Sequence, residues 1–330
     1  MMTPNDILSV EIGLINQCVL KCRLCLREED VAKQLPKNVS VDYEATVNFL
    51  NKLPNLIQLD FVGSVSEPTL HKRIHDFVKY AKSRDIQIRF STNGNTFSND
   101  WWANFGKLFD SKDIIRFAVD GSTQEIHEKY RVGGKLSKVL SNHKAFKENT
   151  KAKTVLQNLL FDYNIDDQEN IKRLFIQENF DVCEFTHTGD ANYEEDPNLA
   201  RDNILPVNDL RLRYKKRNSS SGEFFKGVIC KSCKESQIYI NHMGCVLPCD
   251  DMEETTFVDR ENNITIYDHT IEECFEHVNN IIRKRFVNRT CEICCGPANQ
   301  KLHIDYPIVQ FNREGKKAIL HKFREIGDFN

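Results

Sequence analysis

Three thiols crowd the start of the chain, where "INQCVLKCRLC" places Cys18, Cys22 and Cys25 in the spacing C-x3-C-x2-C. Thiolate sulfur binds soft metals, so zinc or an iron–sulfur cluster is the chemistry such a group serves. The number of ligands separates the two. A closed structural zinc site takes four protein ligands, whereas three cysteines on a four-iron cluster leave one iron open to an outside ligand. A zinc site completed by a distant residue is the plain alternative. The chain has 12 cysteines, and its first residues, "MMTPNDILSVEIG", lack the basic start and apolar core of a signal peptide. A reducing compartment keeps thiols free, so metal binding accounts for them better than disulfides do.

Ligands need a scaffold to hold them. Apolar, β-branched or aromatic runs occur at 7–15, 56–63, 86–94, 114–121, 154–161 and 181–189, which predicts six strands. Segments with helical periodicity lie between them: Leu70, Ile74, Phe77, Val78 and Ala81 share one helix face. Strand–helix alternation of this kind favours parallel βα units, whose ligand-binding loops sit at the carboxyl ends of the strands. After about residue 190 the rhythm stops. There "QIYINHMGCVLPC" (237–249) reads as a hairpin turning near Gly244, and a helix is expected over 270–286, with Ile271, Cys274, Phe275, Val278, Ile281, Ile282 and Phe286 on one side.

Composition narrows the partners. Net charge is −3 with acids and bases interspersed, which disfavours nucleic acid and anionic membrane. The basic run "RLRYKKRNSSS" (211–221) reads as a solvated linker. No apolar run approaches the roughly 18 residues that a bilayer span requires. A soluble, cytoplasmic protein is expected, with domains at 1–190 and 229–297, a linker at 191–228 and a tail at 298–330.

The C-x3-C-x2-C triplet at the end of a first strand, with further βα units behind it, resembles the radical S-adenosylmethionine (radical SAM) superfamily. The resemblance implies a partial (β/α)6 TIM-like barrel of the α/β class. It also implies a 4Fe-4S cluster on Cys18, Cys22 and Cys25 whose open iron chelates the amino and carboxylate groups of S-adenosylmethionine (SAM). Leu24 takes the place of the residue that lies against the adenine. "SEP", Ser66, Glu67 and Pro68, is similar to the Gly-Gly-Glu-Pro segment that meets the methionine amino group, with Val65 and Ser66 in place of the two glycines. "STNG" (91–94), with Thr92 and Asn93, and "AVDG" (118–121), with Asp120, resemble segments lining the cofactor's ribose and methionine. Arg131 in "YRVGG" is expected to pair with the cofactor carboxylate, a surface ion pair being the alternative. For "SEP", the plain alternative is a turn with Pro68 near the start of a helix.

Cys230 before the hairpin, Cys249 five positions past Gly244, and the pair Cys291 and Cys294 after the helix resemble the Twitch auxiliary-cluster module, related to SPASM. That implies a second 4Fe-4S cluster; Cys233 is an alternative to Cys230, Cys295 to Cys294, and a zinc ribbon to the cluster. The implied activity is reductive cleavage of SAM to a 5′-deoxyadenosyl radical that abstracts hydrogen from a peptide or small-metabolite substrate. A low-potential donor such as flavodoxin or ferredoxin would supply the electron. An RNA-modifying enzyme and a zinc-stabilised binding protein are the other readings. Cys274 reads as core, and Cys183 as core or as a thiol returning hydrogen to a substrate radical. His71, His75 and His127 fall on predicted helices, His187 near a strand end, and the histidines form no site of their own.

Overall fold

The six runs become β1 Ser9–Ile12, β2 Gln58–Phe61, β3 Gln87–Thr92, β4 Ile114–Ala118, β5 Lys153–Leu160 and β6 Val182–His187. They lie side by side in chain order, each parallel to the next. This computed structural model describes residues 1–28, 33, 35–62, 65–187, 235–253, 255–258, 262–284, 308–312 and 317–320. Parallel neighbours need long crossovers, and helices supply them. These are α1 Tyr43–Leu50, α2 Ile74–Ser83, α3 Asn99–Gly106, α4 Gln124–Tyr130, α5 Leu136–Lys147 and α6 Gln168–Gln177. The side chains of Asp42, Ser98 and Thr123 cap the first turns of α1, α3 and α4 by accepting backbone N–H groups.

Ile74, Phe77, Val78 and Ala81 are buried on α2 as their spacing predicts. Leu70 stands apart, in a 3-10 turn over Pro68–Leu70 that Glu67 caps and His71 ends in extended conformation. His71 therefore precedes the helix instead of lying on it; its ring nitrogen Nε2 stands 3.0 Å from the Val41 carbonyl.

Alternation along each strand gives the sheet two unlike faces. One packs on the helices: Phe61 meets Phe77, Phe90 meets Phe105, and Phe117 meets Phe146. The other is polar and largely buried. Gln58 donates to Ser9 and Asp60, Arg116 and Gln157 donate to Glu184, and Asp60 stands in register with Glu11 and Arg89. A closed barrel fills this face with branched apolar residues; here it is an acid–base lining.

The hairpin forms as β7 Gln237–Ile240 and β8 Val246–Leu247, with Gly244 at φ +80° in the turn. β7 runs parallel to β1, so the hairpin extends the barrel's own sheet. Gln237 donates to the buried Glu11. After a short α7, Thr255–Val258, helix α8, Ile271–Lys284, buries Ile271, Cys274, Phe275 and Val278 in the main core. Sequence assigned no structure to residues 298–330, yet two strands form there. β9, Ile308–Asn312, runs antiparallel to β6, and β10, Lys317–Leu320, antiparallel to β9.

Candidate active site

Because β1 to β4 are parallel, the loops that follow them open on one edge of the sheet, and all the cofactor-type motifs lie on these loops. The β1 loop is pinned at both ends. The Asn16 N–H donates to the Val39 carbonyl at 3.0 Å and its side chain accepts from the Val39 N–H at 2.8 Å. Beyond it, the Glu67 N–H donates to the Gln17 carbonyl at 3.0 Å, which places the "SEP" segment beside Cys18. Ser66 Oγ accepts weakly from the Ile15 N–H at 3.4 Å. On the far side, Lys21 N–H reaches the Val132 carbonyl at 3.0 Å and Arg23 N–H the Tyr130 carbonyl at 3.3 Å. Cys22 is thus set opposite Arg131.

Two buried carboxylates organise the donors around these thiols. Glu67 Oε1 accepts from the hydroxyls of Thr69 at 2.7 Å and Thr92 at 2.8 Å, and its Oε2 from the Asn93 N–H at 2.8 Å. Held in this way, Asn93 directs Nδ2 to Cys18 Sγ at 3.2 Å. Asp120 is wholly buried and binds Arg131 through Nε, while Arg131 Nη1 lies 3.8 Å from Cys22 Sγ. Leu24 and Cys25 pack against Leu20, Cys22, Tyr130 and Phe161. The Tyr130 and Phe161 rings sit 4.6 Å apart and wall this side of the loop.

Burial dominates the titration of the site. It raises the Glu67 carboxyl against the pull of its N–H and O–H donors, and lifts Cys18 to about 11, with the Glu67 charge adding to the effect. Burial also raises Cys22 and Cys25, with Arg131 pulling Cys22 the other way. Desolvated thiols of this kind keep their protons until a metal displaces them, so loading releases protons. Among the described residues no three or more His, Cys, Asp or Glu are gathered closely enough to hold one metal ion. Three cysteines on one loop, whose sulfurs meet N–H donors, fit an iron–sulfur cluster, in which such donors tune the ligand sulfurs.

Residues 12–175 match the family described as the Radical SAM superfamily. The chain belongs to that superfamily. Its fold is similar to that of Streptococcus suis SuiB, with a TM-score of 0.59 at 14% identity, over 84% of this chain and 68% of that one. SuiB bound to precursor peptide SuiA gives 0.58 at 15% identity over 84% and 66%. Native anSMEcpe with bound AdoMet gives 0.51 at 19% identity over 82% and 80%. At these identities the likeness is one of fold. A curated Pyrococcus furiosus protein, the tungsten-containing aldehyde ferredoxin oxidoreductase cofactor-modifying protein, is 28% identical over 114 residues. That match spans 33% of this chain and 30% of the relative.

In this radical SAM chain the structure joins Glu67, Thr92 and Asn93 to Cys18, and Asp120 and Arg131 to Cys22, with Leu24 packed beside Cys22. It also adds several that sequence missed. His127 Nδ1 accepts the Asp120 N–H at 3.2 Å, Asn164 Nδ2 donates to the Asp120 carbonyl at 3.1 Å, and Asp167 accepts both the N–H and the hydroxyl of Ser122. Nothing in local spacing links positions 44 or 45 apart. Cys183 lies in the helix-facing core with Phe185, with its thiol raised to about 12 by burial, so packing is its role and not hydrogen return from the cavity. Cys274 is core as well. Cys249 is half-buried against Tyr239, Leu247 and Met252. Cys230, Cys233, Cys291, Cys294 and Cys295, the linker, and the side chain of His187 lie outside the described residues. No helix among the described residues is long and apolar enough to cross a membrane.

Proposed function

We propose that this protein is a radical SAM enzyme that cleaves SAM reductively and uses the resulting 5′-deoxyadenosyl radical to abstract hydrogen from a substrate C–H bond. The observation that carries the reading is the Cys18, Cys22 and Cys25 loop, set at the carboxyl edge of a parallel sheet with Asn93 and Arg131 donors on two of its sulfurs. The cluster and the sulfonium cofactor supply the one-electron chemistry. The protein's own part is positional. Glu67 ties the β2 loop to the β3 loop, Asp120 ties the β4 loop to β5 and to Arg131, Leu24 and Ser66 border the place for the adenine and methionine ends, and Tyr130 and Phe161 exclude water.

The polar sheet face, with Glu11, Asp60, Arg89, Arg116 and Glu184, suits a substrate that hydrogen-bonds, and a peptide or a small hydroxylated metabolite fits that description. Fold likeness to a protein seen with a precursor peptide favours the peptide. In the same reading Cys230, Cys249, Cys291 and Cys294 form a Twitch-type module with one auxiliary 4Fe-4S cluster, and flavodoxin or ferredoxin delivers the electron. The enzyme then acts in the cytoplasm.

The test is anaerobic incubation of the iron-reconstituted chain with SAM and a strong reductant, with 5′-deoxyadenosine quantified by chromatography. The wild type is expected to form it, and Cys22→Ala to fall to the background of reductant alone. A fully loaded wild type that forms none overturns the reading.

A further inference from the structure

We infer that Asp120, Arg131 and His127 form a relay that sets the electrostatic environment of the Cys22 sulfur, with Arg131 favouring the reduced cluster and His127 acting as a positioning residue. The inference rests on the proposed function only in taking Cys22 as a cluster ligand.

Backbone geometry comes first. The two hydrogen bonds from Lys21 to Val132 and from Arg23 to Tyr130 flank Cys22 on one strand of chain and Arg131 on the other. This short ladder sets the Arg131 backbone opposite Cys22, and the bond from its Nε to Asp120 holds the guanidinium there. Arg131 N–H also donates to the His127 carbonyl at 3.1 Å, which ties the same residue to the end of α4.

Charge follows from that placement. A guanidinium stays protonated at any working pH and presents several N–H groups in a rigid plane. With Nε on Asp120 and Nη1 3.8 Å from Cys22 Sγ, it brings positive charge and an N–H donor to one cluster ligand. Both stabilise the additional electron of a reduced iron–sulfur cluster. Cys18, by contrast, meets neutral donors, Asn93 Nδ2 at 3.2 Å and the Leu20 N–H at 3.4 Å.

Asp120 moderates the effect. Its carboxylate is fully buried, and its Oδ1 is held by the Leu159 N–H at 2.7 Å, so it opposes the arginine from a fixed position. His127, itself fully buried, fixes Asp120 from behind through Nδ1, and its backbone carbonyl fixes Arg131. One imidazole-bearing residue thus touches both members of the pair without contacting the cluster ligands through its ring.

The experiment is an anaerobic redox titration of the reconstituted full chain without SAM, followed by electron paramagnetic resonance. The N-terminal cluster is identified as the signal that changes when SAM is added afterwards. Arg131→Met at wild-type iron content is expected to shift the midpoint to more negative potential, and Arg131→Lys to stay near wild type. Asp120→Asn is expected to shift it the opposite way, to more positive potential, which a loss of local structure common to the variants would not do. An Arg131→Met midpoint equal to wild type, or Asp120→Asn moving in the same direction as Arg131→Met, overturns the relay. If Arg131→Met loads no N-terminal cluster, Asp120→Asn decides: a positive shift sustains the relay, and any other result overturns it. His127→Gln is expected to move the midpoint measurably, and a wild-type midpoint removes His127 from the relay. A wild type with no SAM-sensitive cluster defeats the proposed function instead, and the two failures are distinct.

Discussion

His127 is fully buried on α4, and burial pushes its pKa from 6.5 down to about 4. The folded protein thus holds the ring neutral at pH values where the unfolded chain protonates it. The unfolded state binds the extra proton between those two values, so stability rises with pH across the window. The contribution is complete above about 6.5 and is lost as pH falls toward 4, a span worth at most about 3 kcal/mol. Urea unfolding of the wild type between pH 7.5 and 5, conditions chosen on the order of that window, is expected to show a steeper loss on acidification than that of His127→Gln. Equal slopes would mean that the ring is not held neutral. In the sequence this histidine looked like any other on a helix. Its value lies in a contact to Asp120, seven positions away, that only the turn between β4 and α4 creates.

At the scale of elements, α4 reaches the site because Gly121, three residues before its first turn, has no side chain. A Cβ on Gly121 would lie 2.3 Å from the His127 backbone nitrogen and 2.6 Å from Ile126 backbone and Cβ atoms. These neighbours are backbone or next to it and cannot swing aside, so Gly121→Ala must displace the helix. A loss of about 1–3 kcal/mol is expected by chemical denaturation, together with weaker retention of iron, since α4 leads directly into Arg131. A variant as stable as wild type would show that the helix can shift without cost. The same scale explains a pattern that five of the strands share. "SVEI", "QLDF", "QIRF", "IIRFA" and "VCEF" each place one charged residue between two apolar neighbours. Parallel strands covered on both faces read as near-continuous apolar runs; the repeated charge on these strands marks the face that the structure lines with polar side chains.

Across the whole molecule, the two ends of the sheet are closed by chain segments remote in sequence. β7 joins β1 on one side and β9 joins β6 on the other. Asn279 on α8 fastens the first side further: its Oδ1 accepts the Met2 N–H at 2.8 Å and its Nδ2 donates to the Met2 carbonyl at 2.9 Å, both buried. Asn279→Leu removes both hydrogen bonds and is expected to lower stability by about 1–3 kcal/mol. Hydrogen exchange should then quicken at β1 and β7 together, because the clasp ties the N-terminus to α8, and α8 packs on β8 of the hairpin. Exchange confined to α8 would show that the clasp is local.

Local pattern was enough for the six strands, for the hairpin turning at Gly244, for α8 and for the cysteine loop with its motifs, because periodicity, turn chemistry and ligand spacing are written within a few neighbouring residues. Four things depended on tertiary structure. They are the pairing of β7 with β1, the strands at 308–312 and 317–320, the commitment of Arg131 to Asp120 and Cys22, and the support that His127, Asn164 and Asp167 give to the Asp120 loop. Sheet edges and buried polar groups find partners by proximity after the chain has closed on itself. Their identity is a property of the packed whole, in which an unpaired backbone or carboxylate is too costly to leave alone.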